Sequence, residues 1–140
     1  MLIGFVGIIT LINNVFLGII GISFQEILGY LFSPFAFFMG IPMAECVDAA
    51  SLMATKIVAN EFVAMMQLSS GTVILSAKSV AIVSIFLVSF ANFSSIGIIA
   101  GAVKALNEEK GNVVACFGLR LLYGATLVSY FNATIVGLII

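Results

Sequence analysis

The chain has 140 residues, of which 63% are hydrophobic and only 8% are charged, and its formal net charge is −1. A typical soluble domain is about 25% charged. So few charged groups cannot cover the surface of a soluble domain, keep a chain disordered or neutralise the phosphates of a nucleic acid. The composition therefore excludes those three classes and predicts an integral membrane protein that contacts the lipid bilayer.

The first segment, residues 1–39, predicts a transmembrane helix followed by an interfacial helix. Residues 2–22 carry no charge and are long enough to span a bilayer, which takes roughly 20 apolar residues. Residues 24–39 are rich in aromatic side chains, which favours a helix lying at the membrane surface. A turn is expected within this second helix, at Ser33 and Pro34.

The second segment, residues 40–140, predicts a membrane-embedded core that begins with a re-entrant helical hairpin over residues 40–68. Its two halves, 43–53 and 57–68, are both too short to span a membrane. Unpaired backbone at the tip of such a hairpin is tolerated where it is buried in protein or lines a wet cavity. Four of the chain's eleven charged residues lie in this otherwise apolar segment: Glu45, Asp48, Lys56 and Glu61.

A discontinuous helix over residues 76–103 and a final helix over residues 113–140 complete the predicted core. An asparagine, two serines and a glycine interrupt the first of these helices near its midpoint. Residues 104–112 are the most polar stretch and predict an exposed loop, which its positive charges place on the cytoplasmic side. The order hairpin, broken helix, helix is one half of the inverted-repeat plan of many secondary transporters, so the chain is expected to be part of a longer protein.

Glu61 is the leading candidate for a functional residue. A carboxylate in an apolar half-helix costs a few kcal/mol to insert into a membrane, so it requires a partner or a role. One interpretation is a structural ion pair with Lys56, about one helical turn away. The favoured interpretation is a carboxylate that faces a substrate cavity and accepts hydrogen bonds from hydroxyl groups.

Asn92, Ser94 and Ser95 form a second polar cluster at the interruption of the broken helix. Alone, these side chains would be expected to bond carbonyl groups of their own helix. Beside a charged hairpin they favour a site at mid-membrane depth, because broken helices and hairpin tips together form such sites. Glu45 and Asp48 are expected to lie near the base of the hairpin rather than to coordinate a cation.

Neither a metal site nor a catalytic site is predicted. The chain has no histidine, and its two cysteines, Cys46 and Cys116, are expected to be small buried apolar side chains. No acid or oxyanion feature accompanies a candidate nucleophile. The protein is therefore expected not to be an enzyme and to hold no cofactor.

Three strings of residues resemble the concentrative nucleoside transporter family, in its bacterial nucleoside permease branch. They are residues 40–42 (GIP), residues 55–64 (TKIVANEFVA) and residues 89–97 (SFANFSSIG). The second resembles the family's Lys-x-x-x-Asn-Glu-Phe signature, and the third resembles its Gly-Phe-Ala-Asn-x-Ser-Ser-Ile signature. The resemblance covers essentially the whole chain but only the C-terminal third or so of a family member.

The resemblance implies the C-terminal part of a cation-coupled nucleoside importer, a homotrimeric symporter that works by alternating access as a multi-pass protein of the bacterial inner membrane. It implies that Glu61, Asn92 and Ser95 bind the ribose and that Phe90 lies against the nucleobase. The coupling ion, Na+ or H+, and the residues that read the base would belong to the missing N-terminal half. The purine or pyrimidine preference is left open.

Two alternatives remain open beside the nucleoside importer: another ion-coupled secondary carrier, and a truncated, inactive membrane subunit. The chain also departs from the family pattern at four positions. Met43 stands in place of a tryptophan, Ala54 and Ser89 in place of glycines, and Met65 in place of an aromatic residue. Each of these departures spares the implied ribose contacts.

Overall fold

The computed structural model describes residues 2–71 and 73–140. In these ranges the fold is all-α, as predicted, with seven α-helices and a single turn of 3₁₀-helix over Met43–Glu45. The α-helices are α1 (Leu2–Ile20), α2 (Phe24–Phe38), α3 (Cys46–Val58), α4 (Glu61–Ser69), α5 (Ala77–Leu87), α6 (Phe93–Leu106) and α7 (Glu108–Ile139).

A sharp bend separates α1 from α2, whose axes differ in direction by 91°. Gly21 permits the bend because it adopts a φ of 77°, which side chains other than glycine rarely tolerate. Ser23 and Glu26 then start α2 with a capping box, in which each side chain bonds the backbone N–H of the other residue.

A chain of amide side chains ties the two N-terminal helices to the hairpin. The amide nitrogen of Asn13 donates to Gln25 Oε1 (3.0 Å), and the amide nitrogen of Gln25 donates to Thr55 Oγ1 (3.0 Å). Such bonds between side chains satisfy polar groups that lipid could not.

The prediction of a turn at Ser33 and Pro34 is wrong, because α2 continues through both residues. Proline lacks the N–H that would bond the carbonyl group of Tyr30, four residues earlier. The Ser33 hydroxyl donates to that carbonyl instead (2.9 Å). The neighbouring serine thus replaces the lost backbone bond and lets the helix continue.

The centre of the fold is α3, in which nine of 13 residues are buried. It packs mainly on α2, and also on α4 and α5. The sequence predicts the hairpin tip between its two halves, at residues 54–56, and this prediction is wrong. Those residues are helical, and the break between the two helices falls at Ala59 and Asn60. Lys56 therefore lies in the last turn of α3, where a positive charge complements the helix dipole.

The second break separates α5 from α6 at residues 88–92, inside the stretch whose polar residues predict it. The prediction of a loop at residues 104–112 is wrong, and so is the predicted start of the final helix at residue 113. Only Asn107 separates α6 from α7, and its side chain accepts a hydrogen bond from the N–H of Lys110 (3.0 Å). A single asparagine cap can start α7 at Glu108, since acidic residues suit a helix N-terminus.

Close packing of α7 depends on small residues along one face. Gly118, Ser129, Ala133 and Gly137 are buried, whereas Gly124 is exposed. A methyl group added at Gly137 would overlap the carbonyl oxygen of Met39, at the end of α2. Of the two cysteines, only Cys46 is buried, so the expectation of a buried Cys116 is wrong: on α7 it lies on an exposed face.

One helix of the described ranges, Glu108–Ile139, is long and apolar enough to cross a membrane. The described ranges hold two candidate membrane spans if the bent pair Gly7–Ile20 and Phe24–Phe38 is counted as one span. The halves of the discontinuous helix, Ala77–Leu87 and Phe93–Leu106, are apolar but shorter.

Candidate functional site

Two helix N-termini meet where the two breaks approach each other. Asn60 caps α4 by accepting a hydrogen bond from the N–H of Val63 at Oδ1 (2.9 Å). Asn92 caps α6 in the same way, accepting from the N–H of Ser95 (2.7 Å). Each N-terminus carries a partial positive charge, so the region favours an anionic group.

Glu61 and Asn92 are joined directly across the two breaks. The amide nitrogen of Asn92 donates to Glu61 Oε2 at 2.6 Å. Because Asn92 Oδ1 is already occupied by the N–H of Ser95, its amide nitrogen is the atom left to face the carboxylate. Hydrogen bonds to an ionised carboxylate are among the strong ones, and Asn92 is completely buried, with 0% of its surface exposed.

The carboxylate of Glu61 retains bonding capacity after this contact. The side chain is only partly buried, and among residues 2–71 and 73–140 its Oε1 atom has no hydrogen-bond partner. A carboxylate offers about four lone-pair sites. The arrangement can therefore accept further hydrogen bonds from a ligand that carries hydroxyl groups.

Ser95 and Phe90 lie beside Asn92. Together with Asn92 they line a cavity of about 130 Å³ between α6 and α7. Phe90 is 76% exposed, so its ring is available to a ligand. Glu61 does not line this cavity. The structure thus joins Glu61 to Asn92 and joins Asn92 to Ser95 and Phe90, without gathering all four around one cavity.

The alternative pairing of Glu61 with Lys56 is not formed. In the part of the chain that the structure describes, the Lys56 ammonium donates to the Ser89 hydroxyl (2.8 Å) instead. It also lies 4.7 Å from the centre of the Phe86 ring. Lys56 carries the same sequence signal as Glu61, a charge in an apolar half-helix, and that signal could have marked it as a candidate in its own right.

The other two charges of the hairpin lie at its base, as expected. Glu45 Oε2 accepts hydrogen bonds from both the N–H and the hydroxyl of Ser76, each at 3.0 Å, and so links the start of the hairpin to the start of α5. Asp48 is exposed. Within the described ranges, no three His, Cys, Asp or Glu side chains are grouped so that they could hold a metal ion.

Comparison with known proteins identifies the family. Residues 1–137 match the family described as "Na+ dependent nucleoside transporter C-terminus". The chain belongs to this family. The sequence resemblance to concentrative nucleoside transporters is therefore confirmed, and the family comprises transporters rather than enzymes.

Curated relatives agree with this assignment. The chain is 41% identical over 143 residues to the purine nucleoside transport protein NupG of Bacillus subtilis, covering 100% of the chain and 36% of the relative. It is 37% identical over 151 residues to the nucleoside permease NupC of Helicobacter pylori, with the same two coverages. The human sodium/nucleoside cotransporter 1 is 31% identical over 134 residues, covering 85% of the chain and 21% of the relative. The chain thus spans about a third of the length of its bacterial relatives.

A solved structure shares the fold. The transporter CNTnw in an inward-facing substrate-bound state superposes with a TM-score of 0.87 at 36% sequence identity, over 98% of this chain and 34% of that one. At this identity the superposition supports both fold and family. The chain is thus an all-α membrane protein of the nucleoside transporter type.

Proposed function

We propose that this chain forms the C-terminal part of a cation-coupled nucleoside importer and that Glu61, Asn92 and Ser95 bind the ribose. The observation that carries this proposal is the 2.6 Å hydrogen bond between Asn92 and Glu61, made where two helix breaks meet. Broken helices of this kind form the midplane binding sites of secondary transporters.

The chemistry of ribose suits this pair of side chains. Ribose presents two neighbouring hydroxyl groups, and a carboxylate can accept a hydrogen bond from each. The unpartnered Oε1 of Glu61 would take the first such bond. Nearby, the exposed ring of Phe90 offers a flat apolar face to the nucleobase.

A site of this kind would discriminate between sugars. A polar group built to bond a hydroxyl is left unpaired when the ligand lacks that hydroxyl. Loss of a hydrogen bond to a charged group costs about 1.5–3 kcal/mol. We therefore expect nucleosides that lack both ribose hydroxyls to compete poorly for uptake.

The setting proposed for this site is a multi-pass protein of the bacterial inner membrane, assembled as a homotrimer with an N-terminal portion that this chain does not contain. The 91° bend between α1 and α2 supports a spanning α1 and a surface-bound α2. The short lengths of α3 and α4 support a re-entrant hairpin. The coupling ion, Na+ or H+, is proposed to bind outside this chain.

The test is uptake by a chimera that joins this chain to the N-terminal portion of NupG from Bacillus subtilis, in cells that lack their own nucleoside importers. Labelled uridine and a labelled purine nucleoside are both supplied, because the base preference is open. Glu61→Gln removes the charge from the proposed site. Asp48→Asn makes the same chemical change on an exposed side chain and serves as the matched control.

Glu61→Gln is expected to raise the KM of nucleoside uptake by about ten- to a hundredfold, because one charged hydrogen bond is worth about 1.5–3 kcal/mol. Asp48→Asn should leave uptake unchanged. Equal effects of the two variants would refute the role of Glu61. A chimera that reaches the membrane and transports other solutes but no nucleoside would favour a different ion-coupled carrier, and one that transports nothing would favour an inactive subunit.

A further inference from the structure

A second charged link crosses the same two breaks. Lys56 is fully buried, with 0% of its surface exposed, and its ammonium donates to the hydroxyl of Ser89 at 2.8 Å. Ser89 lies in the break between α5 and α6, three residues before Asn92. The two links, Glu61 to Asn92 and Lys56 to Ser89, therefore both connect the end of α3 and the start of α4 with the same irregular segment.

The link continues from Ser89 into α7. The hydroxyl of Ser89 lies within hydrogen-bond distance of the hydroxyl of Ser129. Ser129 donates its only hydroxyl proton to the carbonyl group of Ala125 (2.9 Å), so Ser89 must be the donor between the two serines. The ammonium thus begins a directed chain of hydrogen bonds that ends on the backbone of α7.

The position of this ammonium relative to the helix ends is the reverse of that of Glu61. Lys56 lies in the last turn of α3, and Ser89 follows the end of α5 by two residues. Helix C-termini carry partial negative charge, and in secondary transporters such half-helix ends coordinate the coupling cation. Here a lysine side chain supplies the positive charge at this place.

Packing alone does not explain the ammonium. A methionine would fill a similar space without the cost of desolvating a buried charge. The ammonium instead has one polar and one aromatic partner, since it donates to Ser89 and lies over the Phe86 ring.

We propose that Lys56 is a positioning residue: its ammonium acts as an internal cation where α3 and α5 end, and it holds the segment 88–92 so that Asn92 meets Glu61. The inference rests on the proposed function for its effect on nucleosides. Its effect on the geometry of the two breaks does not depend on transport.

The geometric part is tested by a double-mutant cycle on the purified NupG chimera in detergent, using Lys56→Met and Asn92→Ala and following the melting temperature. Distant, independent sites add, whereas coupled sites do not. If Lys56 acts through Asn92, the double variant should melt within about 2 °C of the less stable single variant. Additive losses of melting temperature would overturn the proposal.

The functional part uses the NupG chimera, with Lys78→Met, a lysine outside both breaks, as the control. Lys56→Met is expected to raise the KM for a ribonucleoside about tenfold, because a misplaced site loses one hydrogen bond between the ribose and the charged Glu61. The same variant should also reduce the preference for a ribonucleoside over its 2′,3′-dideoxy analogue. Lys56→Arg, which keeps the charge, should restore part of that preference. A preference unchanged in Lys56→Met at normal membrane abundance would overturn the proposal.

A second variant and the double-mutant cycle separate failure of this proposal from failure of the proposed function. If Lys56→Met does not reach the membrane, Ser89→Ala removes the link while keeping the lysine, and an unchanged sugar preference in Ser89→Ala would equally overturn the proposal. If the unmodified chimera takes up no nucleoside, the proposed function fails. The double-mutant cycle then decides the positioning role of Lys56 by itself.

Discussion

Asn92 and Asn60 provide a matched pair for measuring what the contact with Glu61 contributes. Both residues are buried asparagines that cap a helix through Oδ1, at 2.7 Å for Asn92 and 2.9 Å for Asn60. Only Asn92 also donates its amide nitrogen to Glu61. Replacing each with alanine therefore removes the same cap and about the same volume, and differs by one charged hydrogen bond.

The expected difference in stability follows from these contacts. Loss of an asparagine cap costs about 1 kcal/mol, which both variants share. Loss of a hydrogen bond to a charged group adds about 2 kcal/mol in Asn92→Ala alone. For a chain of this size 1 kcal/mol corresponds to about 3–4 °C, so Asn92→Ala should melt roughly 7 °C below Asn60→Ala.

Thermal unfolding followed by circular dichroism in detergent measures this difference. Asn92→Asp adds a second test, because an aspartate keeps the capping oxygen but sets a carboxylate against Glu61. That variant should be less stable than the parent although its helix cap is intact. Equal melting temperatures for Asn92→Ala and Asn60→Ala, together with a fully stable Asn92→Asp, would refute the charged contact.

Two further predictions concern the packing of the helices. Gly137→Ala should destabilise the chain by several kcal/mol, because the added methyl group overlaps the backbone oxygen of Met39. Gly124→Ala, in open space, should instead stabilise the chain by up to about 1 kcal/mol. Comparable melting temperatures for the two variants would contradict the packing described for Gly137. Pro34→Ala should raise the melting temperature, since it restores a helix N–H within α2, and the gain should grow when Ser33→Ala has first removed the substitute bond to Tyr30.

The sequence was sufficient to predict the membrane class, the order of the elements and the existence of two helix breaks. Charge-free stretches and clusters of polar residues carry that information locally. The positions of the boundaries were harder to predict. The polar stretch 104–112 resembles a loop, yet a single asparagine cap lets α7 begin at Glu108. At Pro34 the compensating bond comes from the adjacent serine, an effect that a rule for proline alone does not capture.

The candidate site was predictable in part for the same reason. Glu61 and Asn92 stand out because a charge and an amide are costly in apolar helices, and the structure joins them. The role of Lys56 depends on Ser89, 33 residues away, and on Ser129 in another helix. Nothing local predicts those partners, because they are set by how α3, α5 and α7 pack.

Opposite charges at opposite helix ends stabilise the contact between the two helix breaks. Glu61 lies where two helices begin, and Lys56 lies where two helices end. Each forms a hydrogen bond across to the segment 88–92. Separating the breaks would remove the hydrogen-bond partner of each charge in segment 88–92, which is costly above all for the fully buried Lys56. The geometry of the proposed site is therefore held by contacts within this chain, which would reduce the cost of ordering that site when a ligand binds.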